Sequence, residues 1–124
     1  MATFNSFEEI EAWKRARLLA REIYVITNEG KFSKDFGLRN QIRRASVSVM
    51  ANIEEGFERN GTGEFIQFLS IAKGSAGEIR AHLYVAFDQD YIDMQTLKRL
   101  LIDAESIGKK IGGLMDYLRS SGFG

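Results

Sequence analysis

The chain predicts an all-α fold, an antiparallel up-down-up-down four-helix bundle forming one domain over residues 1–124, and three observations carry the expectation. Apolar residues recur at three- and four-residue spacing in four successive stretches. Polar breaks separate the stretches, and none alternates with the period of two that a half-buried strand requires. Proline is absent, although it normally supplies about 5% of a chain, so nothing interrupts long helices. Short connectors make successive helices antiparallel neighbours, and four of them close most simply as a bundle.

The first helix is expected to open at Asn5 or Ser6, where Ser6-Phe7-Glu8-Glu9 reads as a capping box. Its apolar stripe Trp13, Ala16, Leu19, Ala20, Ile23 and Ile26 runs towards Gly30. Lys31 to Gly37 is a connector, and a second helix runs from about Leu38 to Glu55-Gly56. Asn60-Gly61-Thr62-Gly63 breaks the pattern. A third helix then carries Phe65, Phe68, Leu69, Ala72, Ala76, Ile79, Leu83 and Phe87 on one face, and ends near Asp88-Gln89-Asp90. The fourth follows Asp93 with Leu97, Leu100, Leu101, Ala104, Ile107, Ile111, Leu114 and Leu118 at helical spacing.

Composition narrows the function classes. Seventeen basic and 17 acidic side chains cancel, which argues against a strongly basic nucleic-acid binder. Without cysteine there is no disulfide framework, thiol catalysis or cysteine-ligated metal. The opening Met1-Ala2-Thr3-Phe4-Asn5-Ser6 has neither a basic nor an apolar signal region, and no apolar run is long enough to span a membrane. A cytoplasmic location is the expectation, with no membrane partner.

The most informative stretch is residues 41–59. On a helix, Leu38, Ile42, Ala45, Val49 and Ile53 line one face, and Gln41, Arg44, Ser48, Asn52, Glu55 and Arg59 form a polar row directly beside it. The third helix has a matching border of Ile71, Ser75, Glu78 and His82. Antiparallel pairing about the 57–63 turn brings positions summing to about 122 level, which sets Arg44 near Glu78 and Ser48 near Gly74 and Ser75. Arg44, Ser48, Asn52, Glu55, Arg59, Ser75 and Glu78 are therefore expected to form a structural polar network, with Arg44 and Glu78 as a charged pair. Gly74 and Gly77 inside a helix are expected where two helices approach closely.

The same side chains do not make an active site. No nucleophile, base and orienting group stand together, and His82, the only histidine, belongs to neither an H-E-x-x-H nor a paired Glu-x-x-His motif. Gly61-Thr62-Gly63 lacks the lysine of a phosphate-cradling loop. No catalytic residue, cofactor site, metal site or small-molecule substrate is expected.

Two surface features remain. Between residues 31 and 53, Lys31, Lys34, Arg39, Arg43 and Arg44 face the single acid Asp35, a local charge of +4. Lys31, Lys34, Arg39 and Arg43 are thus candidates for weak, sequence-independent contact with RNA or DNA phosphates. Only Phe32 and Phe36 interleave them, too few for base stacking. Separately, Leu18 and Val25 lie about 130–150° from the first helix's core stripe. With Val47, Met50 and Ile102 they are the candidate surface for self-association.

Trp13, Gly37-Leu38, Gln41-x-Arg43-Arg44-Ala45-x-x-Ser48, Asn52-Ile53-x-Glu55-Gly56-x-x-Arg59 and Phe65-x-x-Phe68-Leu69-x-Ile71-Ala72-x-Gly74-Ser75-x-x-Glu78 together resemble the four-helix bundle proteins encoded in intervening sequences of bacterial 23S ribosomal RNA genes. The resemblance covers nearly the whole chain. It implies a bacterial cytoplasmic bundle that assembles as a ring, commonly a homopentamer, and is related to the accessory proteins of diversity-generating retroelements. Those relatives are basic and bind nucleic acid and a reverse transcriptase, whereas this chain has zero net charge. It also departs from the family pattern at Lys31-Phe32-Ser33, where a proline often follows the aromatic, and at Gln89-Asp90, where Leu-Gly is frequent. The family has no established biochemical activity. The reading is a non-enzymatic, self-assembling bundle that presents a surface to a macromolecular partner; a weak nucleic-acid-binding accessory protein is the alternative.

Overall fold

The computed structural model of the chain describes residues 4–121, so the Met1-Ala2-Thr3 part of the signal reading lies outside the described residues. Four helices dominate: α1 Glu11–Ile26, α2 Phe36–Glu58, α3 Thr62–Asp88 and α4 Met94–Ser120, with 3-10 turns at Phe7–Glu9 and Gly30–Lys34. Their limits follow local chemistry. Asp35 starts α2 by accepting the Leu38 N–H at 3.1 Å, and Asp93 starts α4 by accepting that of Thr96 at 2.8 Å. The α2–α3 turn passes through Gly61 at φ 141°, a conformation that side chains other than hydrogen rarely adopt.

Pairs of contacts show that all four neighbouring helix pairs run antiparallel. Along α2, Ser48 meets Ser75 while Gly56 meets Phe65 and Phe68, so rising numbers on α2 face falling numbers on α3. Arg43 reaches Thr27 and Met50 lies with Ala20, which orders α1 against α2 in the same way. Glu22 pairs with Arg99 and Arg15 lies with Ser106 on α4. Lys73 lies on Gly112, and Arg80 with Glu105.

One continuous core occupies the centre, with Ile23, Ile42, Ile53, Leu69, Leu83 and Ile111 inaccessible to water. The apolar stripes read from the sequence supply it, with Trp13, Ile26, Phe68, Phe87, Leu101 and Leu114 only partly buried at its margins. The core also takes residues outside those stripes: Ala12, Phe32, Ser46, Ser75, Ala86 and Met115.

Two expectations about the backbone are corrected. The first α-helix starts at Glu11, not at Asn5 or Ser6. Ser6 makes no side-chain cap; instead the Glu9 carboxylate accepts the Asn5 N–H at 3.1 Å, and residues 7–9 form a separate 3-10 turn in which Phe7 meets Trp13 edge to face at 5.1 Å. Nor do Gly74 and Gly77 mark a close helix approach, because a methyl group added at either meets nothing within 4 Å. Gly56 does so: a Cβ there would fall 2.8 Å from Phe68 Cβ and 2.9 Å from Phe65 Cδ1.

Candidate functional site

The polar row of α2 divides into three parts. At the centre, Ser48 Oγ and Ser75 Oγ are 2.9 Å apart, and the Asn52 amide donates to Ser48 Oγ at 3.0 Å and to the Ser48 carbonyl at 2.9 Å. This trio, with Ser75 buried and Ser48 and Asn52 half-buried, joins α2 to α3. At the lower end, Arg59 pairs with Glu55 at 2.8 Å and with Glu64 at 3.6 Å, and its guanidinium lies 5.1 Å from the Phe68 ring centre. All three charged side chains are well exposed, so this group contributes little stability.

At the upper end the charged pair expected between Arg44 and Glu78 is absent. Glu78 instead approaches His82 Nε2 at 3.7 Å along its own helix, and Arg44 is exposed and forms no ion pair among the described residues. The register is right, since Ser48–Ser75 differs from the expected sum by one. The direction is not: both long side chains leave the seam, and an exposed ion pair repays less than about 1 kcal/mol, too little to hold them there against water and rotamer freedom.

Two arginines of the basic stretch, Arg39 and Arg43, are engaged in the chain's own structure. Arg43 Nε donates to the buried Thr27 hydroxyl at 2.8 Å, and its guanidinium covers the Tyr24 ring at 4.5 Å. That hydroxyl donates in turn to the Ile23 carbonyl at 2.6 Å, closing the C-terminus of α1 onto α2. Arg39 donates to the Ser33 carbonyl at 2.9 Å and covers Phe36 at 4.7 Å. Of the four candidate phosphate contacts, Lys31 and Lys34 are left exposed and without an ion pair among the described residues.

Asp35 does two jobs that its residue type alone does not reveal. One carboxylate oxygen caps α2, and the other accepts the Tyr91 hydroxyl at 2.9 Å while the Tyr91 ring stacks on Phe32 at 5.2 Å. The α3–α4 turn is thereby tied to the start of α2. The hydrogen bond that the phenol donates to the Asp35 carboxylate holds its proton in place and, with partial desolvation and the carboxylate's charge, raises the Tyr91 pKa above its ordinary value of 10.0.

The outer face of α1 carries two uncovered aliphatic side chains. Leu18 is 54% and Val25 58% exposed. A groove of about 340 Å³ between α1 and α4 is lined by Leu18, Arg21, Val25 and Arg99, and another of about 400 Å³ between α1 and α2 by Ala20, Tyr24, Val25 and Met50. Val25 is the ridge between them. Met50 is half-buried against the core, whereas Val47, one turn away, is exposed; on the other flank Ile102 is 66% exposed, one turn from Arg99. Among the described residues no group of three or more His, Asp or Glu side chains is placed to hold a metal ion, and no helix is long and apolar enough to cross a membrane.

Fold and surface together define an all-α bundle with a polar inter-helix seam and uncovered apolar ridges. The family model of the 23S rRNA-intervening sequence proteins matches residues 8–113, and the chain belongs to that family. Among solved structures it is similar to a protein of unknown function from the S23 ribosomal protein family of Bacteroides thetaiotaomicron. That similarity has 24% identity and a TM-score of 0.78 over 85% of this chain and 95% of the other, and it establishes the shared fold. Comparison with curated proteins finds no match.

Proposed function

We propose that this chain is a non-enzymatic, self-assembling helical bundle of the cytoplasm, a homopentameric ring that presents a surface to a macromolecular partner. The supporting observation is the apolar outer face of α1, where Leu18 and Val25 stand exposed beside two grooves. Both side chains are already nearly half covered, so burying what remains exposed contributes roughly 1.5–3 kcal/mol per contact before association entropy is subtracted, and flanking residues must join them. Val47 and Met50 on one side and Ile102 on the other supply that extension. A ring places two different surfaces of each subunit in contact, and an α1 ridge entering a neighbour's groove is such a contact.

Light scattering measures the particle directly. The expected mass is about five times the chain mass of 14.0 kDa, and Leu18→Lys with Val25→Lys dissociates the particle while helicity is kept. A monomer for the unmodified chain at micromolar concentration overturns the assembly; an intact ring in the double variant overturns the assigned surface.

A further inference from the structure

On the side of the bundle away from α1, a groove of about 340 Å³ runs between α3 and α4. Its floor is Ala76, Gly77, Ala104 and Gly108, and a methyl group added at either glycine meets nothing within 4 Å, so bare helix backbone lies open to a ligand. Lys73, Arg80 and Lys109 stand around it, with Glu105 as the one acid. None of the three cations forms an ion pair among the described residues. Lys73 is also seated: its Cε lies 3.4 Å from where a Cβ of Gly112 would be, so its stem crosses onto α4, towards the turn that carries Lys109.

We propose that this groove binds a linear chain of phosphates. Three cations gathered around one concavity with a single counter-charge repel one another, and a polyanion relieves that repulsion. Lys73 and Arg80 are two turns apart on α3, about 10 Å along the axis at 1.5 Å per residue, a span that closely spaced phosphate charges fill. The lining holds no aromatic ring on which a base could stack. Recognition is therefore of charge and spacing, without sequence. The site uses different residues from Lys31 and Lys34 and from the Leu18–Val25 face of α1.

The test uses the full chain, with a fluorescent single-stranded oligonucleotide, inorganic tripolyphosphate and poly-glutamate as probes, and particle mass followed in the same samples so that loss of the ring is not read as loss of the groove. The expected result is binding of at least one phosphate probe at low ionic strength. Binding of the oligonucleotide alone identifies a nucleic-acid backbone as the source, and binding of tripolyphosphate alone a free polyphosphate. For a strand meeting three cations, the slope of log K against log salt is about −2. Lys73→Gln with Arg80→Gln and Lys109→Gln weakens binding by about tenfold or more, and Lys31→Gln with Lys34→Gln leaves it unchanged. Gly108→Asp, which places a carboxylate in open space beside the cations, also weakens binding with the helical signal retained. No binding of either phosphate probe, equal binding by the triple variant, or poly-glutamate bound as tightly as the phosphates overturns the proposal.

Discussion

Ser48 and Ser75 face each other across α2 and α3 with their hydroxyl oxygens 2.9 Å apart, and Asn52 completes the contact from one turn along α2. A hydroxyl left without its partner in this half-buried seam loses a hydrogen bond worth about 1 kcal/mol, whereas removing both hydroxyls together leaves less unsatisfied. Ser75→Ala is therefore expected to destabilise by about 1 kcal/mol, and Ser48→Ala with Ser75→Ala by less than the sum of the single changes. Denaturant titration of the three variants checks this; full additivity contradicts it.

Glycine replacements separate close packing from open surface. Gly56→Ala drives a methyl group into Phe65 and Phe68 and is expected to cost about 1–3 kcal/mol, the usual range for overpacking. Gly74→Ala and Gly113→Ala enter open space on exposed helix, and each is expected to add about 0.5–1 kcal/mol of stability. Midpoints of urea unfolding read both signs.

Arg44 and Glu78 provide a negative expectation. With no ion pair between them, Arg44→Ala and Glu78→Ala each change stability by less than about 0.5 kcal/mol. A double-mutant cycle then gives a coupling near zero; a coupling above about 1 kcal/mol reinstates the pair.

Two titrating groups predict opposite pH limits. Hydrogen bonds from Thr96 lower the Asp93 pKa below 3.8, so its ionised form favours folding above that value, and the contribution fades as pH falls through the lower folded-state pKa. The raised Tyr91 pKa works the other way: its contribution is full below 10.0 and is lost as pH rises through the higher folded value. Asp93→Asn is expected to flatten the acid limb of a thermal-stability profile and Tyr91→Phe the alkaline limb. Unchanged limbs reject the assignments.

The four helices and their antiparallel order were legible because apolar periodicity is a property of the whole stretch and survives local error. Ser48–Ser75 was also legible, since helix register places short side chains within reach once the turn is known. Arg44–Glu78 was not, because a long side chain chooses between neighbour and water on energies that register does not report. The contacts of Thr27, Asp35 and Tyr91 leave no mark in the sequence for a different reason: they span 16 and 56 residues and depend on how connectors fold back. In the same way the α3–α4 cations are scattered as Lys73, Arg80 and Lys109, and no local charge count finds them.

The brevity of α1 has a consequence for motion. It has 16 residues against 23, 27 and 27 in the other helices, and three of its five buried side chains, Ala12, Ala16 and Ala20, are alanines. So little apolar area holds α1 in place that it is the segment whose separation exposes least to water. Its amide protons exchange ahead of those of α2 and α3, and the hydroxyl of Thr27, with Arg43 laid across it, is the latch that this opening has to release.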